Sequence, residues 1–174
     1  MNDSKYVGFT GSRNGFTNKA LLKNVLNSLI DVPIAVGCAR GVDAQIRRLR
    51  DDAVVYSVAS PGAGSGSRSW TIALARRSMT MVDDCYLLIG FASVSCPLDV
   101  CPSHSFVGGG SGTWASLAYA SGRGIPIVVF LDDGILLPEW TGGHWEKAGS
   151  RGTAFDSGWI WVPDTNTFQL SMLG

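Results

Sequence analysis

A glycine-rich run lies between a segment typical of a buried strand, residues 85–91, and a segment typical of a helix, residues 114–122. Glycines that lead into a helix let backbone N–H groups converge on an anion, and the helix dipole adds to the attraction. Phosphate is the usual ligand of such a turn. The run therefore predicts a phosphate-binding site formed by Gly109, Gly110, Ser111, Gly112 and Thr113.

Two similar turns stand earlier in the chain. The first follows the strand-like run 6–10, and the second follows the strand-like run 33–36. In an open parallel sheet, the turns after the strands gather at the carboxyl edge, where ligands bind. Three such turns predict a phosphate-bearing ligand; the alternative is that the glycines only permit tight connections. The ligand-binding residues predicted in the two earlier turns are Gly11, Ser12, Arg13, Arg40, Gly41 and Asp43.

Arg76 and Arg77 belong to a predicted helix that follows a glycine-rich loop at 60–69 and that Ser69 can cap. Its predicted buried stripe consists of Ile72, Ala75, Met79 and Val82. If this stripe faces the core, Arg77 points about the opposite way and Arg76 flanks the stripe. Arg76 is then the better placed to reach a ligand, whereas a surface position is an equal alternative for Arg77. Either guanidinium could bind a phosphate through two parallel hydrogen bonds.

The elements that would position these residues alternate between strand and helix. Strands are predicted at 6–10, 33–36, 53–58, 85–91 and 125–131. Apolar residues at helical spacing predict two of the helices, one with Leu22, Val25, Leu26 and Leu29 and a cap at Thr17 or Asn18, the other with Val42, Ile46 and Leu49. Such alternation implies a parallel sheet with right-handed crossovers.

The predicted fold class is therefore α/β, with a Rossmann-like, doubly wound, mostly parallel sheet of about five strands and helices on both faces. One domain would span residues 1–174, with its core at 5–131 and a short C-terminal extension at 132–174. In that extension, 158–162 and 167–170 could be strands added to an edge or segments packed over the sheet. Its four tryptophans, at 140, 145, 159 and 161, could stack on bases, although a hydrophobic cover or a homodimer contact is the favoured interpretation.

Composition fits one cytoplasmic domain. The 174 residues are 45% hydrophobic and 16% charged, which is enough for one sizeable core. No apolar run is long enough to span a bilayer, and the N-terminal residues lack an apolar signal segment, so we expect no membrane association. Seven arginines between Arg40 and Arg77 could hold a nucleotide or a nucleic-acid backbone. Alternatively, Arg47, Arg48 and Arg50 are the solvated face of a helix.

Cysteines allow one further hypothesis. Cys96, Cys101 and His104 lie close together in sequence, and Cys85 or His144 could complete a zinc site. The interval between the two cysteines is longer than in a zinc knuckle, so we predict no metal, and a cytosolic setting disfavours a disulfide. The segment 92–107 is instead predicted to cover the ligand.

Four motifs in order resemble the SMF/DprA–LOG (SLOG) superfamily of Rossmann-like nucleotide-binding proteins. Gly11-Ser12-Arg13 matches the "GSR" turn of the DprA branch, and residues 38–44 are similar to its "GLARGIDAAA" turn. Ala75-Arg76-Arg77 stands where DprA-like proteins carry "RNR" and LOG-like proteins an Arg-Lys pair. Ser111-Gly112-Thr113 lies where the DprA branch has "SGs/t" and the LOG branch "PGGxGTxxE". The resemblance covers residues 5–131.

The resemblance implies a protein that binds a nucleotide or a nucleoside monophosphate, with no other cofactor, as a sensor and commonly as a homodimer. Two alternatives follow from its branches. One is a nucleotide N-glycosidic hydrolase or transferase, although Ser116 stands where LOG-like phosphoribohydrolases carry their glutamate. The other is a DprA-like protein that binds single-stranded DNA, although Ala75 replaces the first arginine of "RNR".

Overall fold

The computed structural model describes residues 5–58, 67–107 and 110–164. The first part of the chain alternates β1 (Tyr6–Gly11), α1 (Lys19–Ser28), β2 (Ile34–Gly37), α2 (Val42–Leu49) and β3 (Val54–Tyr56). It continues with α3 (Ser67–Asp83), β4 (Cys85–Ala92), α4 (Gly112–Gly122) and β5 (Ile127–Leu131). Two further strands follow, β6 (Gly143–Lys147) and β7 (Trp159–Pro163). The predicted α/β class is confirmed.

All the described strands belong to one sheet with the order β3-β2-β1-β4-β5-β7-β6. Neighbours among β1 to β5 run parallel, whereas β7 pairs antiparallel with both β5 and β6. The sheet has seven strands, so the expectation of about five was too low. The C-terminal extension adds an edge to the sheet, because β7 continues the hydrogen bonding beyond β5. The segment 167–170 lies outside the described residues.

Helices cover both faces of the sheet, as predicted. Side chains alternate between the two faces along a strand, and β4 shows this plainly. Leu88 and Ala92 belong to the core under α3 and α4, while Ile89 and Phe91 belong to the core under α1 and α2. Each face of the sheet therefore buries its own apolar layer.

One predicted helix cap is confirmed, whereas two other helix predictions, at Leu49 and Ser69, need correction. Asn18 does cap α1, since its side chain accepts a hydrogen bond from the Leu21 amide at 3.0 Å. Leu49, however, is 45% exposed because α2 ends there, although Val42 and Ile46 are buried. Helix α3 begins at Ser67, so Ser69 lies inside the helix rather than at its cap.

The tryptophans form an internal cluster. Trp140 lies at its centre, with ring centroids 6.1 Å from Trp114, 5.2 Å from Trp145 and 5.4 Å from Trp161. Trp140 and Trp161 are buried, so these rings are not a surface for stacked bases. The cover interpretation is confirmed for them, while the homodimer stays a prediction that the cluster no longer supports.

No helix in the described part of the chain is long and apolar enough to cross a membrane.

The order of strands reverses between β1 and β4, because β2 and β3 lie on one side of β1 while β4 and β5 lie on the other. In open α/β sheets, ligands bind in the crevice beyond the carboxyl ends of the strands at such a reversal. The turns that follow β1, β2 and β4 meet there.

Candidate functional site

A cavity of about 640 Å³ opens at this reversal of strand order. Residues from all three predicted turns line it, so the parallel sheet brings the turns to one edge. The predicted site residues in its lining are Gly11, Ser12, Arg13, Asp43, Arg77, Gly110, Ser111, Gly112 and Thr113. Arg40, Gly41 and Arg76 do not line this cavity, and Gly109 lies outside the described residues.

Gly41 has a structural reason to be a glycine. Its φ is 76°, and a side chain there would overlap the backbone of Ser12 and Arg13. The next residue, Val42, donates its amide to the Ser12 carbonyl at 3.0 Å. Gly41 thus packs the second turn onto the first, and its predicted contact with the ligand is replaced by a contact within the protein. Arg40 is exposed beside it.

The third turn has open space next to its backbone. A Cβ added at Gly110 or at Gly112 would meet no atom within 4 Å. The Ser111 side chain caps α4 by accepting a hydrogen bond from the Trp114 amide at 3.4 Å. The first amides of a helix have no acceptor inside it, so the N–H groups of Gly112 and Thr113 are available to a ligand that enters this space.

Ser116 lies one helical turn further along α4, where the LOG-like pattern has a glutamate. It lines the cavity and is buried. Its Oγ donates a hydrogen bond to the Gly112 carbonyl at 2.8 Å. The hydroxyl therefore stabilises the first turn of the helix, and no carboxylate occupies this position.

The two arginines of α3 are placed the other way round from the prediction. Arg77 lines the cavity and its side chain is only 10% exposed, whereas Arg76 is exposed beside a second depression of about 390 Å³. The predicted stripe was wrong at Ile72, which is 47% exposed. The part of α3 from Trp70 to Ser78 contributes to the cavity wall, so its inward face accepts a charged side chain.

Arg77 faces Asp43. Its Nη1 lies 3.6 Å from Asp43 Oδ2, and the Ala39 amide donates to the same oxygen at 3.2 Å. Both side chains pass over Gly37, where an added Cβ would overlap them. Burial raises the pKa of the Asp43 carboxyl, and the positive charge of Arg77 offsets this rise only in part. At 3.6 Å the two groups are in charge contact, slightly beyond the usual hydrogen-bonding distance.

One atom of this pair lacks a partner. Among the described residues, Arg77 Nε is the only buried side-chain nitrogen or oxygen without a hydrogen bond. An unsatisfied buried donor costs about 1–3 kcal/mol, and more when it is charged. A ligand acceptor that reached this nitrogen would remove this cost.

Two of the three arginines at 47, 48 and 50 make hydrogen bonds within the protein, so the solvated-face interpretation holds only for Arg48. Arg47 donates to the carbonyls of Gly37 at 2.6 Å and Ala39 at 3.1 Å, which fixes the second turn. Arg50 is buried, with hydrogen bonds to the Leu29 and Val32 carbonyls and to Asp52. Arg48 is exposed as that interpretation expected.

The segment 92–107 contributes Val94 and Phe106 to the cavity wall. Trp114 Nε1 donates to the Val94 carbonyl at 2.8 Å, and the Ser103 amide donates to the Ala118 carbonyl at 3.3 Å. The segment therefore lies against α4 as part of the wall, in the place where a ligand cover was predicted.

The cysteines of the described chain are free thiols. Within the described ranges, no three His, Cys, Asp or Glu side chains come together as metal ligands. Cys96 donates weakly to the Val100 carbonyl at 3.6 Å, and burial raises the pKa of its thiol to about 11. The zinc hypothesis for Cys96, Cys101 and His104 thus has no assembled site here.

No protein-family model, no curated protein and no solved structure matches this chain.

Proposed function

We propose that this protein binds a nucleotide, with the phosphate at the N-terminus of α4 and the rest of the ligand in the cavity. Gly112 and Thr113 would donate their amides to the phosphate, Thr113 its hydroxyl as well, and Ser12 and Arg13 would approach from the first turn. The one observation that carries this proposal is the buried Arg77, which lines a cavity with an open glycine turn in its wall and whose Nε has no partner within the protein.

Three further features support a nucleotide as the ligand. Helix α4 has eleven residues, so its N-terminus carries the full partial positive charge of a helix dipole. The order β3-β2-β1-β4-β5 of the parallel strands supports the proposal of a Rossmann-like sheet, in which nucleotides bind at the reversal of strand order. The resemblance of the four motifs to the SLOG superfamily implies the same ligand class.

The residues that line the cavity favour a protein that binds a nucleotide without catalysing a reaction on it. Ser116 supplies no carboxylate, and Asp43 is the only Asp or Glu among the described residues that line the cavity. Asp83 and Asp84 lie elsewhere, where they accept hydrogen bonds from the hydroxyls of Tyr119 and Tyr56. The protein would thus act as a nucleotide sensor, and an N-glycosidic hydrolase or transferase that relied on Asp43 is the alternative.

A calorimetric titration with nucleoside mono-, di- and triphosphates, and with inorganic phosphate, tests the proposal. We expect at least one nucleotide to bind, and Gly112→Val to abolish binding because its side chain fills the space beside the turn. Circular dichroism would show that this variant still folds. Equal binding by the folded variant and the parent would overturn the phosphate site.

The same samples separate the alternatives. Mass spectrometry of the nucleotide after incubation would show free base if the protein were a hydrolase. Binding of single-stranded DNA would weaken steeply with salt, because each phosphate contact releases counterions. A ligand with one phosphate in a cavity would show a much smaller salt dependence.

A further inference from the structure

Helix α3 forms one wall of the cavity, and this wall is charged near one end and apolar at the other. It contributes six residues, which are Trp70, Thr71, Leu74, Ala75, Arg77 and Ser78. Positions 70, 74 and 77 are spaced by four and three residues, so they share one face of the helix. Trp70 precedes Arg77 by seven residues, which separates the two by about 10 Å along the helix axis. A ligand that contacts this whole face therefore has an anionic part at one end and an apolar part at the other.

The apolar side chains of the cavity wall are incompletely covered by the protein. Trp70 is 39% exposed and Val94 is 46% exposed, although both line the cavity. Phe106 lines it as well, and its ring packs edge-on against Tyr119 with the ring centroids 6.0 Å apart. Because removing apolar surface from water favours binding, the part of the ligand that contacts these side chains should itself be apolar.

Only the base of a nucleotide has this character. Phosphate and sugar are polar, whereas the base is a flat ring with two apolar faces. Aromatic side chains stack on bases because every base has a π-face. Among the described residues that line the cavity, Trp70 and Phe106 are the only aromatic ones, and Trp70 is the larger and the more exposed.

We infer that Trp70 stacks on the base of the bound nucleotide, and that this contact makes the site select nucleotides over sugar phosphates. This inference rests on the proposed nucleotide site and adds the residue that recognises the base. Trp70 carries no charge and takes no part in binding the phosphate. The two parts of the ligand are therefore held by different residues, and their contributions to affinity can be measured separately.

Calorimetry would compare the affinities of the wild-type protein for the four common ribonucleoside 5′-monophosphates and for ribose 5-phosphate, which has the same sugar and phosphate without a base. Stacking of a base on an aromatic side chain corresponds to about a five- to hundredfold change in affinity. We expect ribose 5-phosphate to bind more weakly than the tightest nucleotide by at least the lower factor. Trp70→Ala should weaken the binding of that nucleotide by a similar factor and leave the affinity for ribose 5-phosphate unchanged. Trp70→Phe, which keeps an aromatic ring, should retain most of the nucleotide affinity.

Ile72→Ala is the matched control. Ile72 lies two residues from Trp70 on α3 and is 47% exposed, but it lines the second depression instead of the cavity. This variant should bind the nucleotide as the wild type does. Circular dichroism would show that all the variants fold, which we expect because both side chains are exposed.

Each outcome bears on a different part of the inference. Equal wild-type affinity for ribose 5-phosphate and for nucleotides would overturn it and leave the phosphate site intact, even if Trp70→Ala did not fold. Undiminished nucleotide affinity in Trp70→Ala, or an equal loss for the nucleotide and for ribose 5-phosphate, would overturn the role of Trp70. A folded Trp70→Phe that bound no better than Trp70→Ala would show that the contact is not stacking and would overturn it too. Absence of binding by every nucleotide would overturn both the inference and the proposed function.

Discussion

Asp43 and Arg77 oppose each other in the wall of the cavity, with 3.6 Å between Oδ2 and Nη1, slightly beyond the usual hydrogen-bonding distance. They come from different helices, α2 and α3, and both are largely buried. If every donor and acceptor of a buried ion pair were satisfied within the protein, a ligand could bind the pair only by replacing an existing hydrogen bond. In this pair, the Nε donor of Arg77 has no hydrogen bond. A ligand that supplies an acceptor to it would form a hydrogen bond that the protein alone does not make.

Gly37→Ala tests whether the pair needs the space above β2. The added methyl would overlap both Arg77 Nη1 and Asp43 Oδ2, so the two side chains must move. We expect nucleotide affinity to fall at least tenfold and the melting temperature to drop. Calorimetry and thermal denaturation measure the two effects, and an unchanged affinity would contradict the placement of the ligand at this pair.

Arg77→Ala and Arg76→Ala form a matched pair on adjacent positions of α3. Arg77 lines the cavity and Arg76 is exposed outside it. A charged hydrogen bond contributes about 1.5–3 kcal/mol, so Arg77→Ala should weaken nucleotide binding by about ten- to a hundredfold. Arg76→Ala should change it less than twofold. The reverse order of effects would restore the placement that the apolar stripe predicted.

The sequence predicted the parallel part of the sheet well because local signals define it. Runs such as 85–91 are apolar throughout, as strands buried on both faces are, and glycine turns mark their ends. β6 carried no such signal, since His144 and Glu146 are exposed on an edge strand whose pairing depends on the distant β7.

The site shows the same limit. Glycine turns are recognisable from a short stretch of sequence. The inward position of Arg77, by contrast, depends on Asp43, which belongs to another helix. Periodicity assigns the apolar side of a helix to the core, and it fails where a helix covers a cavity. The motifs indicated Ser116, and the predicted cover at 92–107 included Val94, but neither Leu74 in the cavity wall nor the unpaired Nε of Arg77 had any signal in the sequence.

Trp140→Ala tests the tryptophan cluster, which includes Trp145 of β6 and Trp161 of β7. Its ring packs against three other tryptophans and its Nε1 donates to the Val100 carbonyl at 2.8 Å. Truncating a buried tryptophan costs about 3–5 kcal/mol, which urea denaturation would measure. Trp159→Ala is the control, because Trp159 is half-buried and contacts Lys147 in a cation–π arrangement at 4.1 Å. A similar loss in both variants would contradict the central position of Trp140.

The carboxyl of Asp43 predicts a specific pH dependence of stability. Its pKa is raised above 3.8 in the folded protein, mainly by burial, and Arg77 opposes the rise. Between 3.8 and the raised pKa, the folded state holds a proton that the unfolded state has lost. The free energy of unfolding therefore decreases as the pH rises through this interval, by up to about 1.4 kcal/mol per pH unit.

Urea denaturation between pH 4 and pH 8 would measure this dependence, with Asp43→Asn as the reference because it cannot titrate at this position. The cost of burying the charge is absent below pH 3.8 and complete above the raised pKa. The stability of Asp43→Asn relative to the wild type should therefore be higher at pH 8 than at pH 4. A difference that stays constant over this range, or that changes in the opposite direction, would show that Asp43 is not held in a desolvated site.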